Sequence, residues 1–465
     1  MSECGGPGIE PTLVNARWSL VQFSLLACYT AGFHGVTSFP YYIHKHSGLF
    51  LVAFYVLMVL ICIPVCYVQI KLGALFKRGI VGIFSILVPI LKGAAVSILV
   101  LTYIRCLLHG VELSYALYFA FASLQWPYPW AAQTGVNNTI SELKFHHRPA
   151  DKYFHEDFLQ KSEHIGEGGY IVWYIALCLL ATWVAIYFLT FRGTSLIAKI
   201  AYILTPTTIF TLLVVMIYGY AAIPNASTAV NRLLTSRGEK IEYTPTQYFF
   251  LNNEVNYKLG HPGPWIDALN LHINSVGLWS GVLPTLGTLV FNRKYVVNAS
   301  WILLLLVYSV IPQIALFALA PYIDPKDSGG FIAASKGIKP GLPFLFIAIP
   351  TTFERMELSP VIGFFLFICI FLFGLHHQAI HLIAIWENLL PSTPKFIMSY
   401  FRRREFLVAA ACGVSFLLSI SYAIQGGIHL YAIVNDYVDR LIFTMIIISS
   451  VPFIVGYSEY KANFM

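Results

Sequence analysis

Four histidines stand inside long apolar stretches, where a titratable side chain is costly. They are His34, His109, His376 and His377. Because imidazole changes its charge near physiological pH, a group of histidines can bind and release protons. Ionisable residues at membrane depth usually serve a function. The first candidate chemistry of this sequence is therefore a proton-responsive site.

Two further charged residues accompany His109. Arg105 precedes it by four positions and Glu112 follows it by three, so a helix would place all three on one face. They can belong to the site, or they can neutralise one another in a polar stripe that only holds helices together. His377 and His381 are one helical turn apart and suit zinc, but no third ligand accompanies them, so we predict no metal site.

The elements that carry these residues are too apolar for a soluble domain. Hydrophobic residues make up 57% of the 465 residues and charged residues only 11%, whereas soluble domains carry about 25% charged residues. The formal charge of +7 comes from basic residues in short segments between apolar stretches, which does not indicate nucleic-acid binding. The expected surroundings are a lipid bilayer.

Ten stretches are long enough to cross a bilayer, which takes roughly 20 apolar residues. They lie near 19–42, 48–72, 89–124, 168–190, 195–223, 263–291, 299–322, 360–389, 406–426 and 429–457. The simplest organisation is one helical core over 19–458, between an N-terminal segment 1–18 and a tail 459–465. No cleavable signal peptide is visible. The predicted fold class is an all-α integral membrane protein.

Basic residues in the short connections predict the orientation. With the N-terminus in the cytoplasm, most of these lysines and arginines fall on the cytoplasmic side. Both termini are then cytoplasmic, and the long loops 125–167 and 224–262 are extracellular. Asn137 and Asn225 begin glycosylation sequons in those loops. We therefore expect a glycoprotein of the plasma membrane.

Two of the predicted spans contain interruptions. Gly32 and Gly35 interrupt the first span, and Gly277 and Gly281 interrupt the sixth. These are the first spans of two sets of five, and paired interruptions in two halves are typical of a transporter binding site. Glycine can instead allow helices to pack closely, but polar residues accompany both interruptions. This pattern favours a site.

Six short motifs occur in order along the chain: Ser38–Tyr41, Gln69–Gly79, Leu177–Leu180, Trp265–Ala268, Phe373–Gln378 and Gln425–Gly427. In these motifs the chain resembles the neurotransmitter:sodium symporter family, solute carrier family six, over nearly its whole length. The resemblance implies an inverted five-plus-five helix repeat, with helices one and six unwound around a central site. Family members usually add two further helices, and the chain ends at Met465 before them. We expect the ten-helix core without contacts attributed to those helices.

The resemblance also implies two sodium sites, of which few side-chain ligands are kept. The matching positions are Cys28, Thr30, Ala31, Gly35, Ser275, Leu305, Phe373, His376 and His377. Gly35 and Leu305 replace asparagines of the first site, and two histidines replace the second-site pair. Because sodium prefers compact oxygen ligands, we predict that both sites are degraded. By resemblance to the family, sodium is one possible coupling ion. The histidines make proton coupling the alternative, and no other cofactor is predicted.

The substrate positions implied by the resemblance are Thr30, Gly32, His34, His109, Asn274, Ser275, Gly277 and Ser280. At Gly32 amino-acid transporters of the family have glycine and monoamine transporters have aspartate. His109 replaces a substrate-binding tyrosine, and Asn274 replaces an aromatic lid. A small neutral or zwitterionic solute, such as an amino acid or a derivative, is therefore favoured over a monoamine.

Chloride and gate positions are kept only in part. Tyr55, Ser275 and Ser309 match chloride ligands, Arg17 and Trp18 resemble an inner gate, and Ser38 and Asn435, with Asp436 beside it, match the outer gate. Leucine replaces two chloride ligands, at 271 and 305, so chloride dependence is not expected. Neither member of the family's outer ion pair remains. For the inner gate, Glu387 is the nearest substitute acid.

Two functions remain open. The first is a secondary active transporter of a small neutral or zwitterionic solute that works by alternating access. The second is a relative that does not transport and serves as a receptor, chaperone or assembly partner, with another membrane protein as its partner. An enzyme is not predicted, because no nucleophile–base or phosphate-loop motif stands clear of the helices.

Overall fold

The structure of the protein is a computed structural model that describes residues 29, 33–46, 48–131, 149–164, 166, 168–223, 226, 234, 262–288, 308–321, 341–355, 359–389 and 404–464. Regular structure within these residues is helical, apart from one isolated bridge between Ile171 and Ile424. Several predicted positions lie outside the described residues: Arg17, Trp18, Cys28, Thr30, Ala31, Gly32, Asn137, Asn225 and Leu305.

The main helices follow the predicted spans and take their numbers. They are α1 Phe33–His46, α2 Gly48–Phe76, α3 Pro89–Ala122, α4 Trp173–Thr190, α5 Thr194–Ala222, α6a Pro262–Val276, α6b Val282–Thr288, α7 Tyr308–Pro321, α8 Pro360–Leu389, α9 Arg404–Ser419 and α10 Gly427–Phe464. Shorter helices cover Ile80–Leu87, Pro149–Lys152 and Ile349–Arg355.

Seven helices in the described part of the chain are long and apolar enough to cross a membrane, namely α2, α3, α4, α5, α8, α9 and α10. Many of their apolar side chains face outward: Leu60 is 66% exposed, Phe210 66% and Ile447 72%. Such surfaces are unfavourable in water and favourable against lipid tails. The all-α membrane fold predicted from composition is confirmed.

The bundle is built around α3 and α8. The apolar windows of these helices are 61% and 67% buried, against 28–39% for the other five membrane-length helices. Gly374 of α8 lies against Leu113 and His109 of α3, and Gln378 Nε2 donates to the carbonyl oxygen of Cys106 at 2.9 Å. The pair that carries most of the predicted polar residues is therefore the centre of the fold.

The fourth span begins later than predicted. Residues 168–172 lie outside the helix and pair with the loop after α9, through Val172 N to Ala423 O at 2.8 Å and Gln425 N to Tyr170 O at 3.3 Å. This pairing satisfies backbone groups that a helix would otherwise use, so α4 starts at Trp173. At the other end of the chain, α10 continues past the predicted limit of 457 to Phe464.

Helices α2 and α6b touch backbone to backbone. A Cβ atom added at Gly73 would overlap the carbonyl oxygen of Pro284, and one added at Gly287 would overlap that of Ile70. Small residues at such crossings let membrane helices approach closely. The two glycines therefore face each other across one contact and fix α6b against α2.

We expect Gly73→Ala or Gly287→Ala to destabilise the protein by about 1–3 kcal/mol, because the added methyl group meets backbone that cannot rotate away. Thermal unfolding of the purified protein in detergent measures this. Gly413→Ala in α9 is the matched control, since a Cβ there meets nothing within 4 Å. Equal melting temperatures for all these variants would contradict the close crossing.

Candidate functional site

The sixth span is broken between α6a and α6b. Gly277 and Gly281 adopt φ angles of +59° and +72°, which residues with a Cβ atom rarely reach. Ser280 closes the turn through its backbone N–H and its hydroxyl, which donate to Gly277 O at 3.0 and 2.8 Å. The predicted interruption of this span is confirmed. On the first span, α1 begins at Phe33, next to residues 30–32 outside the described part.

Neighbouring side chains bind the carbonyl groups that the break releases. Tyr29 Oη donates to Val276 O at 2.7 Å, Gln69 Nε2 to Leu278 O at 2.7 Å, and Thr102 Oγ1 to Ser280 O at 3.2 Å. Irregular backbone inside a membrane survives only where such partners satisfy it. Three parts of the fold therefore stabilise the break together: Tyr29 before α1, Gln69 of α2 and Thr102 of α3.

Three of the four predicted histidines converge beside this break. The ring centroids are 6.1 Å apart for His34 and His109, 6.2 Å for His109 and His377, and 6.5 Å for His34 and His377. His381 joins them, 4.5 Å from His377. His376 does not: it is fully buried beside Phe373, 5.7 Å away.

Phe373 itself belongs to a separate apolar cluster with Val36 of α1 and Ile311 of α7. Gly35, another predicted position of the first sodium site, faces the side chain of Pro312 on α7. The predicted ion positions thus divide into an apolar group around Phe373 and a polar group around His377.

His377 contacts the chain where the second sodium site is predicted. Its ring stacks on Tyr29, with centroids 5.4 Å apart and 11° between the planes. Its Nδ1 atom is 3.3 Å from the carbonyl oxygen of Tyr29. Because Tyr29 lies between the predicted backbone ligands Cys28 and Thr30, an imidazole here occupies the contact between the first helix and α8.

The polar stripe predicted on α3 is present and reaches α10. His109 Nδ1 lies 2.9 Å from Glu112 Oε2, and Tyr431 of α10 donates a short hydrogen bond to Glu112 Oε1. Both carboxylate oxygens are therefore bound, and Glu112 is only 7% exposed. The pair neutralises Glu112 if His109 is protonated, and Tyr431 stabilises its negative charge.

Arg105 of α3 contacts Asn435, the predicted outer-gate position on α10. Its Nη1 atom donates to Asn435 Oδ1 at 2.5 Å and to Asp439 Oδ1 at 3.3 Å. Asp436, the acid predicted beside the gate, pairs instead with Arg440 on its own helix at 2.7 Å. The outer-gate position on α10 thus meets a cation from α3 and not from α1.

The other predicted positions are distributed as follows. Asn274 lines the cavity described next, Ser275 is fully buried on α6a, and Ser38 is half-buried on α1. Tyr55 is 39% exposed on α2, and Ser309 lies in α7. The chloride assignment stays a prediction. Glu387, proposed for the inner gate, pairs with Arg404 at 2.7 Å.

A small cavity lies at the break. Its volume is about 20 Å³, and its walls are His34, Thr102, Arg105, Cys106, His109, Asn274, Trp279, His377, Gln378 and His381. A volume of about 10–15 Å³ holds one water molecule. The space is therefore too small for an amino acid, and a solute requires the surrounding helices to separate.

No group of three metal-binding side chains occurs among the described residues. His381 Nδ1 lies 3.0 Å from the carbonyl oxygen of His377 and contacts the ring of Tyr29. The ring of Tyr29 thus packs against both members of the histidine pair considered for zinc, His377 and His381.

Sequence reasoning missed Tyr29, Tyr431 and Asp439 as partners of the site. One signal was present: Asp439 follows the predicted gate position Asn435 by four residues, which places both on one face of α10. The two tyrosines have no comparable signal, because their contacts come from helix packing.

The described part of the chain is thus a helical membrane bundle in which the broken sixth span lies beside a cavity with polar walls. The chain matches the sodium:neurotransmitter symporter family over residues 18–465, and it belongs to this family. Its relatives are transporters and not enzymes, in agreement with the prediction.

The curated relatives have low sequence identity to this chain, but the matches cover most of its length. The chain is 25% identical to the sodium- and chloride-dependent creatine transporter 1 of Homo sapiens, over 90% of this chain and 66% of that protein. It is 25% identical to the taurine transporter of Homo sapiens, over 90% and 68%. For the GABA transporter ine of Drosophila melanogaster the identity is 22%, over 90% and 44%. The chain thus spans just under two thirds of the creatine transporter.

Among solved structures, the chain resembles the crystal structure of MhsT in complex with L-phenylalanine. The TM-score is 0.63 at 18% sequence identity, and the match covers 94% of this chain and 88% of that one. This likeness supports the predicted inverted-repeat fold.

Tyr431→Phe removes one of the two hydrogen bonds to the buried carboxylate of Glu112. We expect a loss of about 1–3 kcal/mol in stability, because a buried charged acceptor then lacks a donor. Thermal unfolding in detergent provides the measurement. Tyr437→Phe on the same helix is the control, since that side chain is 62% exposed. If both variants melt like the parent protein, the contact does not stabilise the fold.

Proposed function

We propose that the protein is a secondary active transporter of a small neutral or zwitterionic solute, an amino acid or a derivative, that works by alternating access. The observation that carries this proposal is the cavity with polar walls beside the broken α6. Unwound segments at the midpoint of a bundle are where transporters bind their substrates. The named relatives point the same way, because creatine, taurine and GABA are all small zwitterions.

Proton coupling is the form of energy input that these residues favour. His34, His109, His377 and His381 place four titratable rings beside the cavity, and histidine is the side chain suited to exchange protons near neutral pH. Sodium has less to bind: Phe373 and Gly35 lie against apolar side chains, and His377 contacts the Tyr29 carbonyl group. We therefore propose weak sodium coupling, or its replacement by protons.

One observation favours the alternative, a relative that does not transport. The cavity holds little more than a water molecule, and the charges Glu112 and Arg105 are paired with other side chains. A protein fixed in this conformation would serve as a receptor, chaperone or assembly partner for another membrane protein.

Uptake into proteoliposomes separates these functions. We expect the purified protein to accumulate at least one solute from a mixture of amino acids, GABA, taurine and creatine under an inward proton gradient. Replacing sodium with N-methylglucamine should lower the rate little or not at all. His377→Asn should abolish accumulation driven by protons, because it removes a titratable ring from the cavity.

His429→Asn is the matched control, since His429 lies at the start of α10 and contacts Ser162 O at 3.1 Å, away from the cluster. A strict requirement for sodium would overturn the account of His377. Absence of uptake under every gradient would favour the non-transporting relative.

The localisation that fits this function is the plasma membrane, with both termini in the cytoplasm. The support is the distribution of basic residues and the two sequons in the long loops. We expect Asn137→Gln and Asn225→Gln each to reduce the apparent mass of protein expressed in mammalian cells, and the double variant to be insensitive to glycosidase. Asn298→Gln is the control, because the sequon Asn298–Ser300 lies at the start of the predicted span 299–322, which the predicted orientation places on the cytoplasmic side. A mass shift only for Asn298→Gln would reverse the orientation.

A further inference from the structure

Three buried polar atoms at the cavity have no hydrogen-bond partner among the described residues. They are His109 Nε2, Trp279 Nε1 and Gln378 Oε1, on side chains that belong to residues 6%, 3% and 1% exposed. An unsatisfied buried polar group costs free energy, so three around one space indicate a site built for a ligand. Indole N–H only donates, and an amide oxygen only accepts. The ligand must therefore offer both an acceptor and a donor.

Among the described residues that line this cavity, one carries a permanent charge, the guanidinium group of Arg105. None of these described lining residues is a carboxylate, since Glu112 is turned to His109 and Tyr431. A small space with a fixed cation and little water favours an anionic group. Guanidinium is also the side chain whose fork can bind two oxygen atoms of one oxyanion.

Arg105 is held at present by α10. The contacts with Asn435 and Asp439 both use Nη1, and a guanidinium group has five N–H donors. The contact with Asp439 is long, 3.3 Å, and the Asp439 side chain is 42% exposed against 17% for Arg105. An anion that enters the cavity therefore competes with a carboxylate whose contact is long and whose side chain is the more exposed of the two.

We propose that Arg105 binds the anionic end, a carboxylate or sulfonate, of a small zwitterionic substrate and releases Asp439 when it does so. Trp279 Nε1 donates to the same anionic group, and Gln378 Oε1 accepts from the cationic end. Before substrate enters, Asp439 holds Arg105 across the α3–α10 contact. This inference rests on the proposed function and assigns the residue that selects the substrate.

Binding to the purified full chain in detergent tests the proposal by isothermal titration calorimetry. The probes are taurine, GABA and creatine, each paired with an analogue that keeps the cationic end and lacks the acid: ethylamine, propylamine and N,N-dimethylguanidine. At least one acid should bind, and its analogue should bind about tenfold or more weakly, as expected for losing a charged hydrogen bond. Equal affinity for an acid and its analogue would overturn the proposal.

Two variants act in opposite directions. Arg105→Gln should weaken binding of the acid by about tenfold or more, with Arg105→Lys intermediate because lysine keeps the charge and loses the fork. Asp439→Asn should strengthen binding, because it removes the competing carboxylate and leaves the cation in place. The opposite sign keeps the test decisive even if Arg105→Gln does not fold.

Arg192→Gln is the matched control for the loss of an arginine, since Arg192 lies in the turn between α4 and α5 and is not part of the cavity wall. Wild-type affinity in Arg105→Gln, or weaker binding in Asp439→Asn, would refute the role of Arg105. If proteoliposomes still accumulate that solute, the proposed transport function stands without it. Failure of all three acids to bind overturns the proposal, and transport falls only if uptake is absent as well.

Discussion

The requirement to satisfy a broken backbone inside an apolar bundle determines much of this structure. Between Gly277 and Gly281 the sixth span gives up its own helical hydrogen bonds. Tyr29, Gln69 and Thr102, from three different parts of the fold, bind the carbonyl groups that result. Removing one of these donors would leave an acceptor unsatisfied where water has little access. The break is thus a joint property of four segments and not of the glycines alone.

The polar face of α3 serves two purposes at once. Glu112 is bound on both oxygens and acts as a structural charge that joins α3 to α10. Arg105, two turns earlier on the same face, also contacts α10 but lines the cavity. The two interpretations of this stripe, packing and function, therefore apply to different residues. Because the two residues are separated along α3, Glu112 can stay bound to α10 while Arg105 exchanges its partner.

The sequence was sufficient for the class of fold, because length and apolar composition define a spanning helix without tertiary information. It also located the α6 break, since glycines beside polar residues leave a local signal, and it placed His34, His109 and His377 together through the family resemblance. It did not reveal Tyr431 or Tyr29, because nothing in a local pattern says which distant residue will face Glu112 or the α6 break. For Asp439 it held one signal, the spacing of four residues from Asn435. The late start of α4 was missed for the same reason: the pairing of residues 168–172 with Ala423 and Gln425 joins segments 250 positions apart.

The glycine crossing of α2 and α6b limits how the bundle can rearrange. Backbone atoms already touch at Gly73 and Gly287, so these helices cannot slide past each other without a steric barrier. On the other side of the break, α6a also packs on α2, where the rings of His272 and Phe54 stack with centroids 4.6 Å apart. His272 Nε2 lies 2.9 Å from the carbonyl oxygen of Phe54. Helix α2 is therefore the common support of both halves of the sixth span.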